Sequence, residues 1–217
     1  MTLEVLNLYA GIGGNRKLWD DVTDVDVTAV EIEEEIAQVY EHYFPEDKMV
    51  VGDAHDYLEE HYDEFDFIWT SPPCTSHSKL KKNLWVKGKG NDPEYPDLKL
   101  YDEILFLKHY FDGDYVVENV DGFYDPLVKP QEIHRHYIWS NFHISDVDLA
   151  SDDLHTSGEK NTIAYWEEKL GFDLSRFDFS PYWQKRKNQI LRNCVKPVLG
   201  KHILKAATID RQATLFE

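Results

Sequence analysis

The chain has 217 residues, of which 42 % are hydrophobic and 14 % aromatic, enough for one domain with a sizeable core or for a domain with a small lobe. No apolar run approaches the roughly 18 residues a membrane span needs. Residues 1–11 (MTLEVLNLYAG) lack the basic-then-apolar order of a secretory leader, so a cytoplasmic protein with no membrane partner is expected. Two cysteines, Cys74 and Cys194, exclude a disulfide framework and a four-cysteine zinc site, and they suit a reducing compartment. The formal net charge of −18 by itself argues against a polyanionic partner.

That charge is unevenly spread. Residues 20–66 hold 18 acids and one base, Lys48, which leaves 23 acids and 22 bases elsewhere. Two stretches contain bases and no acid. The first holds Lys79, Lys81, Lys82, Lys87 and Lys89; the second holds Lys185, Arg186, Lys187, Arg192, Lys196, Lys201 and Lys205. A molecule with an acidic and a basic flank can still present the basic one to phosphates, although two solvated lysine-rich faces are the simpler reading of charge alone.

Along the first two-thirds of the chain, short β-branched runs alternate with helical patterns, the signature of an α/β sheet. Residues 4–10 (EVLNLYA) predict a buried strand, followed by Gly11-Ile12-Gly13-Gly14 and a short helix through Leu18 and Trp19. Further strands are expected at 26–31, 48–53, 65–71 and 114–120, with helices at 34–44, 56–62 and 97–111. Residues 134–142 (HRHYIWSNF) read as one more strand with alternating faces. Residues 143–187 are rich in aspartate, serine and aromatics without a clean period, which predicts a small irregular lobe. Residues 188–207 read as a terminal helix entered through a turn near Pro197. The expected fold is one Rossmann-like α/β domain over 1–142, a small lobe over 143–187 and a C-terminal helix over 188–217.

Strand, Gly11-Ile12-Gly13-Gly14, then helix is a nucleotide-type turn, in which glycines let the backbone approach a ligand beside helix amides. A dinucleotide fingerprint would place glycine at position 16, where Arg16 stands, and no Walker lysine follows. Glu31 closes the second strand 20 residues after Gly11, where a carboxylate can accept both ribose hydroxyls. Asp53 closes the third strand, where it can accept from an adenine amino group. A packing turn with two capping acids explains each residue singly, whereas the ordered set favours a nucleoside-type ligand.

Ser71-Pro72-Pro73-Cys74 follows the fourth strand at the same rim. The two prolines fix where the thiol points, and the lysine run five residues on is expected to favour thiolate. Glu118-Asn119-Val120 ends the fifth strand and places a carboxylate near that thiol. A thiolate beside an acid is the pair that activates a pyrimidine: sulfur adds to C6 while the carboxyl group supports N3. His134 and His136, alternating on the last predicted strand, would share a face, but no third ligand supports a metal.

In this order the residues resemble the DNA cytosine-5 methyltransferase family, along nearly the whole chain. The resemblance implies a class I S-adenosylmethionine-dependent methyltransferase sheet. Tyr9-Ala10-Gly11-Ile12-Gly13-Gly14 is similar to the motif that holds S-adenosylmethionine, and Glu31 and Asp53 match its ribose and adenine contacts. Ile32 and Ala54 match positions that line the adenine. Pro72-Pro73-Cys74 is similar to the nucleophile motif, with Pro72 on its cofactor side, and Glu118-Asn119-Val120 to the carboxylate motif. Gln131 and Arg135 match the ends of a Gln-x-Arg-x-Arg motif whose last arginine touches the cytosine O2. Asn193-Cys194-Val195 resembles the late Gly-Asn-x-Val motif that returns the C-terminal helix to the cofactor.

By this resemblance Cys74, Glu118 and Arg135 are the catalytic residues, and no metal is needed. Lys79, Lys81, Lys82, Lys87, Lys89, Asn119 and Gln131 would contact nucleic acid. The implied partner is duplex DNA, met by a monomer, with a specificity or restriction partner as a further expectation. The chain departs from the pattern at Asn7 (commonly aspartate), Ile133 (the middle arginine), Arg192 (glycine) and in its short recognition lobe. Methylation of RNA cytosine, transfer from an altered sulfonium donor and a non-catalytic accessory role stand as alternatives.

Overall fold

Neighbouring residues of a strand point to opposite faces, so the apolar pairs Val5-Leu6, Phe67-Ile68 and Val116-Val117 require helices on both sides of one sheet. The computed structural model, which describes residues 2–88, 92–146, 162–179 and 183–214, has this layering. Its strands are β1 (Leu3–Leu8), β2 (Val25–Glu31), β3 (Lys48–Val51), β4 (Phe67–Thr70), β5 (Asp114–Val120), β6 (Gln131–Ile133) and β7 (His136–Ser140). The helices are α1 (Glu34–Tyr43), α2 (Ala54–His61), α3 (Lys79–Val86), α4 (Lys99–Tyr110), α5 (Ile163–Leu170), α6 (Trp183–Asn193) and α7 (Pro197–Thr214). The strand order is β3-β2-β1-β4-β5-β7-β6, with β1 to β5 parallel and β7 antiparallel to both β5 and β6.

One face of the sheet packs Val5, Phe67 and Val116 against Leu199, Ile203 and Leu204 of α7. The opposite face packs Leu6, Ile68 and Val117 against Leu58 of α2 and Leu100, Ile104 and Leu107 of α4, which recur at the helical period. The order of connection reverses between β1 and β4. A crevice therefore opens at their carboxyl ends, the usual ligand position in such sheets.

Three expectations change. The strand expected over 134–142 is the shorter β7, and its first two residues, His134-Arg135, are instead the turn of a hairpin with β6, His134 at φ 58°. His134 and His136 therefore do not alternate along a single strand. The described part of the 143–187 segment is not irregular either. Thr162 caps α5 by accepting from the Tyr165 amide at 3.2 Å, and Gly171 ends it at φ 72°. Trp166, Leu170, Phe172 and Leu174 then pack with Ile12, Ile36 and Val39, so this segment shares a core with α1 and the glycine loop. Finally, the terminal helix is two helices, broken at Cys194-Val195-Lys196.

The break falls at the turn expected near Pro197, which begins α7, and the link before it is closely packed at both ends. A Cβ on Gly14 would lie 2.2 Å from the Cys194 sulfur and 2.3 Å from the Val195 carbonyl oxygen. One on Gly200, in α7, would lie 2.1 Å from the Asn15 carbonyl oxygen. Alanine in place of Gly200 should help the helix by about 1 kcal/mol. The backbone clash should cost about 1–3 kcal/mol. Gly200→Ala is therefore expected to lower the thermal midpoint, and a midpoint at or above that of the wild type would show that α7 can move away from Asn15.

Candidate active site

Five strand ends build the site. After β1 the chain turns through Tyr9 (φ 53°), Gly11 (φ 56°) and Gly13 (φ 82°). The Gly11 amide donates to Glu31 Oε2 at 3.0 Å, and the Glu33 amide donates to Oε1 at 3.0 Å. Burial raises the Glu31 carboxyl above its usual range, against the opposing pull of these two amides. Beside it, no atom lies within 4 Å of the place a Gly11 Cβ would occupy, and Ile32 is 63 % exposed. The result is an open cradle with a carboxylate at its floor and an apolar side chain at its wall. Asp53 caps α2, its Oδ1 accepting from the His55 amide at 2.8 Å, while Oδ2 faces Lys99 Nζ at 3.7 Å. Ala54 is buried beneath it.

Arg16, which stands where a dinucleotide fold needs glycine, is buried. It grips Asp47 through Nε and Nη2 at 2.9 and 3.0 Å, and Asp20 through Nη1 at 2.8 Å. Its role is to anchor the glycine loop. Asn7 on β1 accepts from Asn15 Nδ2 at 2.7 Å, so the residue in the usual aspartate position braces the same loop. The Cys194-Val195 link closes the loop from behind, and burial pushes the Cys194 thiol up to about 12. Asn193, at the end of α6, is exposed.

Cys74 lies one residue beyond Pro72-Pro73, and the Pro72 carbonyl accepts from Asn119 Nδ2 at 2.9 Å. Asn119 is 2 % exposed, so the structure makes it a brace between β5 and the nucleophile loop in place of the expected nucleic-acid contact. Gln131 is likewise engaged internally. Its Nε2 donates to Ser140 Oγ at 2.7 Å and to the Phe142 carbonyl at 2.9 Å, and its Oε1 accepts from the Ile144 amide at 2.9 Å. Ile133, in the middle-arginine position, is buried in the core.

Glu118 faces the thiol. Burial raises the Cys74 thiol above its ordinary range, and the negative charge of Glu118 raises it further. The expected help from the lysine run is not seen: Lys79 pairs with Asp121, and the Lys82 ammonium lies 5.2 Å from the Phe123 ring centre. Those lysines begin a helix, α3, on which Trp85 and Val86 are exposed. Lys87 follows it; Lys89 and the side chain of Lys81 lie outside the described residues. Arg135 sits in the β6–β7 turn at the same rim, its carbonyl accepting from the Asp121 amide at 3.2 Å.

Sequence reasoning missed two residues. Glu103 of α4 is fully buried and accepts from Tyr9 OH at 2.6 Å and Thr70 Oγ1 at 2.6 Å, with His55 Nδ1 at 3.1 Å. Its signal was available: an acid beside Ile104 on the face carrying Leu100 and Leu107. The second is His136, whose Nδ1 lies 2.6 Å from Glu118 Oε1.

A family model described as C-5 cytosine-specific DNA methylase matches residues 3–130. The tRNA (cytosine(38)-C(5))-methyltransferase of Spodoptera frugiperda is 32 % identical over 136 residues, covering 59 % of this chain and 39 % of that protein. The methyltransferase EhMeth of Entamoeba histolytica superposes with a TM-score of 0.55 at 13 % identity, over 97 % of this chain and 99 % of the other. A proposed DNA modification methyltransferase from an Escherichia coli prophage gives 0.51 at 13 % identity, over 94 % and 98 %. The last two share the fold, that of class I methyltransferases. S-adenosylmethionine is the methyl donor, and the residues present fit it. Glu31 can take the ribose hydroxyls, Ile32 the adenine face and Asp53 its amino group, with Gly11 leaving room.

Two outcomes follow. Glu31→Ala should weaken S-adenosylmethionine binding by about 1–3 kcal/mol through lost ribose hydrogen bonds, and unchanged affinity by calorimetry would remove Glu31 from the site. Glu118→Gln removes the negative charge that holds the Cys74 thiol up, so iodoacetamide should alkylate Cys74 several-fold faster at pH 8 while methyl transfer falls. An unchanged alkylation rate would place the carboxylate away from the thiol.

Proposed function

Because the chain belongs to the C-5 cytosine-specific DNA methylase family, we propose that it methylates C5 of cytosine in duplex DNA. The observation that carries this reading is the thiol of Cys74 and the carboxyl of Glu118 held at adjoining strand ends by the Asn119–Pro72 bond, next to the Glu31 cradle. S-adenosylmethionine supplies an electrophilic methyl group. The target base leaves the helix stack and enters the crevice between β4 and β5. Cys74 adds to C6 as thiolate, Glu118 gives a proton to N3 and hydrogen-bonds N4, and Arg135 holds O2. Electron density gathered at C5 takes the methyl group. The C5 proton then passes to solvent, its bonding pair re-forms the C5–C6 double bond, and the C6–S bond breaks to release the Cys74 thiolate and 5-methylcytosine. Lys79, Lys82 and Lys87 on and after α3 face the phosphates, and the enzyme acts as a monomer.

The chain spans only 39 % of the tRNA methyltransferase it matches, yet it is 32 % identical to that protein over the matched part. This observation favours one second reading, in which the same chemistry acts on cytosine in RNA. Labelled methyl transfer to unmethylated duplex DNA and, in parallel, to RNA separates the two. Label in 5-methyldeoxycytidine is expected, and label in RNA alone would replace DNA as substrate. No label in either, with cofactor bound, would overturn catalysis by this chain. Cys74→Ala should abolish transfer while leaving cofactor binding unchanged, and residual turnover would exclude Cys74 as nucleophile.

A further inference from the structure

The N3 proton in this scheme needs a source. Glu118 is 7 % exposed, so a proton it gives to N3 must be replaced from a neighbour within the site. Its nearest ionisable partner is fixed by the sheet. Val120 is directly opposite His136 and Glu118 opposite Ile138, so Glu118 and His136 are diagonal neighbours on one face of the β5–β7 ladder. Their contact, Nδ1 to Oε1 at 2.6 Å, is short for a nitrogen–oxygen hydrogen bond and is largely shielded, with side-chain exposures of 16 % and 9 %. The thiol of Cys74 feels the charge of the same carboxyl group, so Glu118 has both the nucleophile and the imidazole as neighbours. The position from which the family's middle arginine would act is filled by buried Ile133, which carries no charge.

We propose that His136 is the proton reservoir of the site, positioning Glu118 and recharging it with the proton that N3 receives. This rests on the cytosine reading above. In the resting pair the imidazolium donates from Nδ1 to the Glu118 carboxylate. As the Cys74 thiolate pair forms the bond to C6, the C5–C6 π pair shifts to C4–C5 and the C4–N3 π pair takes a proton at N3 from Glu118. The Nδ1 proton of His136 moves to Glu118, leaving neutral imidazole. When the C5 proton and the thiolate depart after methylation, the N3 proton returns by the same path. His136 never touches the base; it acts through Glu118.

The other charged groups around the pair leave this assignment intact. Arg135 and His134 lie in the adjoining turn, with Lys196 near both. Asp121, at the end of β5, is occupied by Lys79 and the Tyr137 hydroxyl. Cys74 lies across Glu118.

The test is the pH dependence of kcat for His136→Asn against the wild type, with labelled methyl transfer to cytosine in the accepted nucleic acid. Asparagine keeps a donor where Nδ1 was but cannot ionise, so folding, cofactor affinity and KM should be retained. Only the protonated form of Glu118 could then serve. With the ionisable donor gone, the alkaline limb of kcat should move toward acid and transfer at pH 8 should fall several-fold against the wild type. Superimposed profiles would overturn the reservoir role and leave the parent reading standing, whereas a wild type that makes no 5-methylcytosine overturns the parent reading itself. Should the asparagine variant fail to fold, His136→Gln is judged by the same limb.

Discussion

The arrangement of the crevice depends on one buried carboxylate. Glu103 is inaccessible to solvent, and it bonds Tyr9 after β1, Thr70 at the end of β4 and His55 in the first turn of α2. A carboxyl group buried this deeply is tolerated because three partners surround it, and removing any of them leaves an oxygen without its hydrogen bond. Tyr9 leads into the glycine loop, Thr70 leads into Pro72-Pro73-Cys74, and His55 sits beside Asp53. Hence the donor half of the sheet and the nucleophile half are set by a single side chain on α4. The left-handed backbone of Tyr9 fits the same picture, since a hydroxyl held at 2.6 Å can keep a residue where its backbone preference would not.

A second brace joins β5 to the nucleophile loop. Asn119 ties β5 to the Pro72 carbonyl, so the carboxylate at position 118 and the thiol at 74 share a frame although they come from different strands. Placing the two acids of a thiol–carboxyl pair together in a shielded crevice has an electrostatic cost that falls on the thiol. A proton held on Glu118 relieves that cost. The resting site is therefore a poor nucleophile, and becomes a good one as the neighbouring carboxylate loses its charge. Such a coupling keeps an accessible cysteine quiet in the absence of a substrate.

How much of this was legible depends on the range of the forces involved. The five parallel strands and α1, α2 and α4 announce themselves, because strands buried on both faces read as short apolar runs and helices against them repeat their apolar residues at the helical period. The residues at the strand ends were readable for the same reason. The hairpin of β6 and β7 was not, since His134-Arg135 contains no glycine, proline or asparagine and its turn is fixed by tertiary packing. The break between α6 and α7 was legible at Pro197, where α7 begins, whereas the tight packing of the link before it against Gly14, near the other end of the chain, was not. Helix α5 spans eight residues, too few for periodicity to stand out among aromatics. The lysine run misled because closeness in sequence is not closeness in space: Lys79 goes to Asp121 and Lys82 to a ring.

The acidic stretch acquires a geometry once folded. Residues 20–66 become β2, α1, β3 and α2, one edge of the sheet, while Lys79, Lys82 and Arg135 lie toward the edge formed by β5, β7 and β6. The second basic stretch is laid against the acidic edge: Arg186 of α6 pairs with Glu33 and Lys201 of α7 with Asp21. Ion pairs this open to water weaken as salt is added, so high ionic strength should loosen that hold while the apolar contacts of Ile190 and Leu191 with α1 persist.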